Sequence, residues 1–147
     1  EVLEYVLTLV EAEVSSSLDV VRDYDPSLPL VNVDREQLIQ AFLNMIRNAV
    51  QAIGQQGQIT LRSRITRRIT IRQHYYKMAV QIEIIDDGPG VPVDIVDSVF
   101  YPMVTGRAEG TGLGLSIAND IVRAHGGNIY LEKSPMNGLR VKVSLPF

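Results

Sequence analysis

The chain has no cysteine among its 147 residues. Disulfide frameworks, thiolate zinc sites and cysteine nucleophiles are therefore excluded. Histidine is scarce as well: His74 and His125 stand far apart and match no His-based metal spacing. No stretch approaches the roughly 18 consecutive apolar residues of a membrane span, so no membrane insertion is expected. The opening residues, Glu1-Val2-Leu3-Glu4, carry neither an initiator Met nor a basic leader. They predict a piece of a longer chain rather than a secretory signal. An excess of positive charge is missing too. The formal net charge is −3, which argues against a dedicated nucleic-acid binder. What is present is the mixture of a folded protein, 46% hydrophobic and 21% charged residues, in a length suited to one domain spanning residues 1–147.

Periodicity predicts the elements. Val2, Leu3, Val6, Leu7, Val10 and Val14 recur at helical spacing over residues 1–17. A short strand over 18–24 runs into the breaker-rich turn Asp25-Pro26-Ser27-Leu28-Pro29. The strongest helix follows, capped by Asp34 with Gln37 in capping-box position and closed near Gly54. Residues 58–85 alternate with period two and read as two or three strands, with an extended hairpin or a long connection around Arg67–Lys77. Residues 86–112 are rich in Gly and Pro and read as loop, with a short helix around Asp94–Phe100. A helix from about Leu113 to His125 is closed by Gly126-Gly127, and two strands at 128–133 and 139–145 end the chain. Short links make antiparallel neighbours dominate. The expected fold is a two-layer α/β sandwich, a mixed sheet covered by helices on one face.

Three segments carry chemistry. Gln40, Asn44 and Asn48 fall at i, i+4 and i+8, a stripe bordering the apolar face of the long helix. Asn is a mediocre helix former, so two of them in mid-helix ask for a reason. Taken alone they suit, first, amides bonded to a neighbouring loop; the second reading is amide oxygens serving Mg²⁺ and phosphate. In Ile84-Ile85-Asp86-Asp87-Gly88-Pro89-Gly90-Val91 a strand delivers an acid and two glycines then turn the backbone. That fits an ordinary turn, or a carboxylate at a sheet end that accepts from an exocyclic amine. Gly110-Thr111-Gly112-Leu113-Gly114-Leu115 opens a helix whose free N–H groups favour anions. It is neither G-x-G-x-x-G after a strand nor a P-loop, and the protein-kinase signatures are absent.

The order of these motifs is more specific than any one of them. Asn44-Met45-Ile46-Arg47-Asn48-Ala49, then Asp86-Asp87-Gly88-Pro89-Gly90, then Phe100-Tyr101-Pro102, then Gly110–Leu115, resembles the N, G1, F and G2 boxes of the histidine-kinase branch of the GHKL (Bergerat-fold) ATP-binding superfamily. The tail His125-Gly126-Gly127-Asn128-Ile129 to Val143-Ser144-Leu145-Pro146 is similar as well. Arg22-Asp23-Tyr24-Asp25-Pro26, Phe100–Arg107 and an insert at about 64–78 look like the nitrogen-regulation sensor kinases of the NtrB type.

The resemblance implies ATP or ADP with Mg²⁺ as ligands. Asn48 would take the metal, and Asn44, one turn earlier, would support the phosphate end. Asp86 would accept from the adenine amino group, with Gly88, Gly90 and Val91 against the purine. Gly110, Thr111, Gly112, Leu113, Gly114 and Leu115 would fold over the phosphates, and residues 99–111 would form a mobile lid. ATP-hydrolysing relatives carry a Glu where this chain has Asn44, which implies transfer to a protein side chain rather than to water. Many kinases carry Lys or Arg where this chain has Gln51; Arg107 is the expected replacement and Arg47 a second candidate. The phospho-accepting His would lie on a separate dimerisation domain. The isolated chain is therefore expected to bind ATP without autophosphorylating, and His125 to cap helix carbonyls. A further implied partner is an NtrC-type response regulator. The basic residues Arg62, Arg64, Arg67, Arg68, Arg72 and Lys77 read first as a solvated hairpin face; the resemblance adds the alternative of a docking surface for a PII signal protein. The implied location is cytoplasmic. The rival readings are a conformational ATPase of the same fold and a nucleotide-sensing, partner-binding module.

Overall fold

The structure is a computed structural model and describes residues 2–13, 17–28, 33–53, 56–87, 114–133 and 138–146. The elements run α1 (Val2–Glu13), β1 (Ser17–Asp23), α2 (Arg35–Ile53), β2 (Gln56–Ile71), β3 (His74–Asp86), α3 (Gly114–Ala124), β4 (Asn128–Lys133) and β5 (Leu139–Pro146). The five strands form one sheet in the order β1-β2-β3-β5-β4. β1 runs parallel to β2, and the other three pairings are antiparallel. The mixed sheet of the expected sandwich is thus present. Residues 64–78 occupy the outer part of one continuous β2–β3 hairpin. The turn is the two residues Arg72 and Gln73, both at positive φ. A two-residue hairpin loop needs that backbone, but no Gly or Asn marks it here. The short helix expected around Asp94–Phe100 lies outside the described residues.

One face of the sheet meets the helices. Ile59, Leu61, Val80, Ile82, Ile84, Val141 and Val143 pack there against Leu38, Ala41, Phe42, Met45, Ile46 and Ala49 of α2, with Val6, Leu7 and Val10 of α1 and Ala118 and Val122 of α3. A side chain such as Phe42, wholly buried, contributes about 1.5–3 kcal/mol by leaving water. The other face is polar, and a row of alternating charge crosses it. Asp23, Arg62, Glu83 and Lys142 lie opposite one another on four adjacent strands. Arg62 bridges Asp23 at 3.0 Å and Glu83 at 3.1 Å, and Lys142 continues to Glu132 at 3.3 Å. The Arg64 and Arg62 guanidiniums hold the Asp23 carboxyl below the usual carboxylate range. Two basic residues of the hairpin are therefore paired within the sheet. A third, Arg72, donates to the Arg123 carbonyl at the end of α3, 3.1 Å away.

The ends of the helices show what each terminal residue does. Asp34 caps α2: its Oδ1 accepts the Gln37 N–H at 3.2 Å and its carbonyl the Leu38 N–H at 3.0 Å. The reciprocal half of the expected capping box is replaced. The Asp34 N–H donates to His125 Nε2 at 3.2 Å. At the end of α3, the Gly127 N–H reaches the Val122 carbonyl and the Gly126 N–H that of Arg123, at 2.9 and 3.0 Å. Gly126 sits at φ 79°, so this is the left-handed glycine closure expected from Gly126-Gly127.

Beside the first turn of α1, Tyr24, Leu28, Leu38, Phe42, Val80 and Ile82 are among the residues around a cavity of about 300 Å³. The Tyr24 hydroxyl is buried beside Glu4. Burial, with the Glu4 carboxylate nearby, pushes its pKa from 10 up to about 12. Folding therefore favours the neutral phenol. That contribution is complete below pH 10 and is lost as pH rises toward 12. Denaturant midpoints measured across this window are expected to fall more steeply for the native chain than for Tyr24→Phe.

Candidate functional site

Strand β3 ends at Asp86, which pairs opposite Ile59 and so faces the helix layer. Its residue is only 2% exposed. An acid held so close to an apolar core needs hydrogen-bond donors. One is the Leu139 N–H, 3.2 Å from Oδ1. The next residue, Asp87, is exposed and its Oδ1 accepts the Gln58 N–H at 3.1 Å. The two adjacent acids thus have separate tasks, one under the helices and one tying β3 to β2.

Helix α2 carries the amide stripe. Gln40 is exposed and Asn44 and Asn48 are half-buried, which sets them on the border between core and solvent. Arg47 turns toward α1, where Glu13 takes both its Nε, at 3.1 Å, and its Nη2. Arg47, a second candidate for a phosphate contact, is thus engaged in an exposed ion pair with α1. Gln51 is exposed on the next turn.

Two contacts place these parts relative to one another. A methyl group at Gly57 would overlap Ile53 Cγ2 and touch Asp87 Oδ1 at 2.7 Å. The C-terminal end of α2 therefore lies over the end of β3. At the other end, His125 after α3 holds the N-cap of α2 through Asp34. The packed helices α2 and α3 thus run antiparallel. At 1.5 Å per residue, the 11-residue α3 reaches back about 16 Å from His125, which brings its N-terminus roughly level with Asn44–Met45. The entry of α3 at Gly114-Leu115 therefore lies alongside the middle of α2, while Asp86 ends a strand that packs against α2. None of Asn44, Asn48, Asp86 or Leu115 lines the cavity beside α1.

His125 is fully committed to this arrangement. Its Nδ1 lies 2.9 Å from the Ile121 carbonyl and its Nε2 accepts from Asp34, which together require the neutral ring protonated at Nδ1. Capping of a carbonyl was expected from its place before Gly126; the bond to α2 was not, because it joins residues 91 apart. Gly88, Gly90, Val91, Arg107, Gly110, Thr111, Gly112 and Leu113, and with them the expected lid at 99–111, lie outside the described residues.

Residues 33–147 match the histidine kinase-, DNA gyrase B- and HSP90-like ATPase family. The chain belongs to this family. As a histidine kinase-, DNA gyrase B- and HSP90-like ATPase domain it is an ATP-binding domain. It is 46% identical over 136 residues to the sensory histidine kinase/phosphatase NtrB of Salmonella typhimurium, covering 92% of this chain and 39% of that protein. Identity to NtrB of Rhodobacter capsulatus is 44% over 130 residues, 86% of this chain and 36% of that one. The chain thus spans about two fifths of the length of the curated relatives it matches. Among solved structures it resembles a nucleotide-free catalytic domain of the histidine kinase ThkA, with TM-score 0.83 and 26% identity over 99% of this chain and 90% of that domain. The family match starts at residue 33, but the ThkA likeness also takes in α1 and β1. No helix among the described residues is long and apolar enough to cross a membrane.

The His125 tie is testable by itself. Two hydrogen bonds of about 0.5–1.5 kcal/mol each lead us to expect that His125→Ala lowers the unfolding free energy by about 1–3 kcal/mol in urea titrations. An unchanged midpoint would show the tie to be idle.

Proposed function

We propose that the chain is the ATP-binding half of an NtrB-type sensor histidine kinase, which delivers the γ-phosphoryl group of ATP to a His on a separate dimerisation domain. The observation that carries this reading is Asp86. A buried carboxylate facing the helix layer, at the end of a strand packed against the helix that carries the Asn stripe, suits one ligand with an amine at one end and phosphates at the other.

Each residue then has a task. Asp86 accepts from the adenine amino group, and Gly88, Gly90 and Val91 line the purine. Asn44 and Asn48 hold the phosphate end. Gly110, Thr111, Gly112, Leu113, Gly114 and Leu115 offer backbone N–H groups to the phosphates, and residues 99–111 close as a lid that brings Arg107 to the place left uncharged at Gln51. A Mg²⁺ ion bound with the nucleotide would neutralise phosphate charge. The donor chemistry fits it: amide oxygens are hard donors, and Mg²⁺ is usually held through a few protein oxygens together with phosphates and waters. The half-buried Asn48 would take the metal and Asn44 would support the phosphate end. The protein's part is positioning, which holds the γ-phosphate in line with an incoming imidazole. The neutral Asn44 lacks a basic carboxylate to activate water, and this favours transfer over hydrolysis.

The likeness to NtrB supports a cytoplasmic two-component kinase in nitrogen regulation. Its partners would be its own His-bearing dimerisation domain, an NtrC-type response regulator, and a PII signal protein at the exposed part of the hairpin. Within that part, Arg67, Arg68 and Lys77 are exposed.

A hydrogen bond to a charged group is worth about 1.5–3 kcal/mol, so Asp86→Asn is expected to weaken ADP binding roughly ten- to a hundredfold by calorimetry; equal affinity would refute the base contact. Incubated alone with radiolabelled Mg-ATP, the chain is expected to form no acid-labile phosphohistidine, and to phosphorylate a separately added His-bearing dimerisation domain. Label on this chain itself would contradict the division of labour.

A further inference from the structure

The base-reading carboxylate is held from the far side by a segment that none of the four motifs contains. Gly138 lies against Asp86 so closely that a methyl group there would overlap both the Asp86 carbonyl oxygen and Oδ1, and would approach the carbonyl carbon at 2.6 Å. The adjacent Leu139 N–H then donates to the same Oδ1 at 3.2 Å. Both contacts come from the start of β5, whose register against β3 is fixed as far as Ile85 opposite Arg140. Just beyond that pair the Asp86 side chain takes the Leu139 N–H. The terminal torsion of an Asp is broad and roughly two-fold when nothing constrains it. Here one oxygen is pinned by a backbone donor fixed to the sheet, and the carboxylate plane is pinned with it.

We infer that Gly138 and Leu139 are positioning residues for base selection: the missing side chain at 138 lets β5 come close enough for the Leu139 N–H to set the orientation in which Asp86 meets an exocyclic amine. This rests on the proposed contact between Asp86 and the adenine amino group. Gly138 is not at positive φ, so its role is closeness rather than backbone freedom, and any L side chain pushes on Asp86 whatever its polarity. The consequence is selective. Displacing Asp86 removes the preference for a 6-amino purine and leaves phosphate binding, which comes from α2 and the entry of α3.

The test compares ATP with purine riboside 5′-triphosphate, which lacks only the 6-amino group, both with Mg²⁺, on the native chain, Gly138→Ala and Asp86→Asn. The native chain is expected to prefer ATP at least about tenfold. Gly138→Ala is expected to reduce that preference to within about twofold, as Asp86→Asn does, while its affinity for purine riboside triphosphate changes by less than about twofold. A general loss of structure would lower both affinities together and so would count against the inference. A preference retained in Gly138→Ala overturns the inference alone. No preference in the native chain overturns the Asp86 reading beneath it. Should Gly138→Ala fail to fold, the Leu139 amide resonance of the native chain decides: ATP must shift it more than purine riboside triphosphate does, and equal shifts overturn the inference.

Discussion

Burial of the apolar stripe of α2 against the inner face of the sheet is the constraint on which the rest depends. Leu38, Phe42, Met45, Ile46 and Ala49 must face Ile59, Leu61, Ile82 and Ile84, and a helix of 3.6 residues per turn leaves no choice about where its remaining side chains go. Asn44 and Asn48 fall on the edge of that stripe, half out of the core, where an amide can keep one side in a protein environment and turn the other to a ligand. The same packing fixes α3. It lies beside α2 and is tied to the α2 cap through His125, so its N-terminus comes to the Asn stripe. The placement of the Asn stripe and of the α3 entry is thus a consequence of how the core is filled.

Asp86 is the electrostatic counterpart of this arrangement. Carboxylates at the edge of a core are stable only when donors reach them, and the Leu139 N–H is such a donor. Charges elsewhere are handled differently. On the outer face Asp23, Arg62, Glu83 and Lys142 neutralise one another strand by strand, which keeps that face polar. The chain's net charge of −3 therefore describes neither surface: one is an alternating row, and the other an apolar layer with one carboxylate at its end.

Much of the fold was legible because it rests on local chemistry. The helical spacing from Leu38 to Ile53, the cap at Asp34 and the Gly126-Gly127 stop each involve residues within one or two turns. The β2–β3 hairpin was legible only as an alternative to a long connection, since its turn, Arg72-Gln73, adopts positive φ without Gly or Asn. The capping box failed in half because a residue 91 positions away supplies the acceptor. The candidate site divides in the same way. Asn44, Asn48 and Asp86 stand out by type and spacing. Gly138 and Leu139 do not, because Asp86 lies 53 residues from Leu139 and a backbone N–H leaves no mark in a sequence. The ion pair of Arg47 with Glu13, on another helix, is likewise invisible in the sequence.

The account's central claim is that one nucleotide spans Asp86, the Asn44–Asn48 stripe and the start of α3. A crystal structure of the chain with Mg²⁺ and a non-hydrolysable ATP analogue tests it most directly. The account predicts the adenine amino group at about 2.7–3.2 Å from a carboxylate oxygen of Asp86, the metal on Asn48, and the phosphates at the entry of α3. A nucleotide bound elsewhere, such as in the cavity beside α1, or one bound with its base away from Asp86, would contradict it.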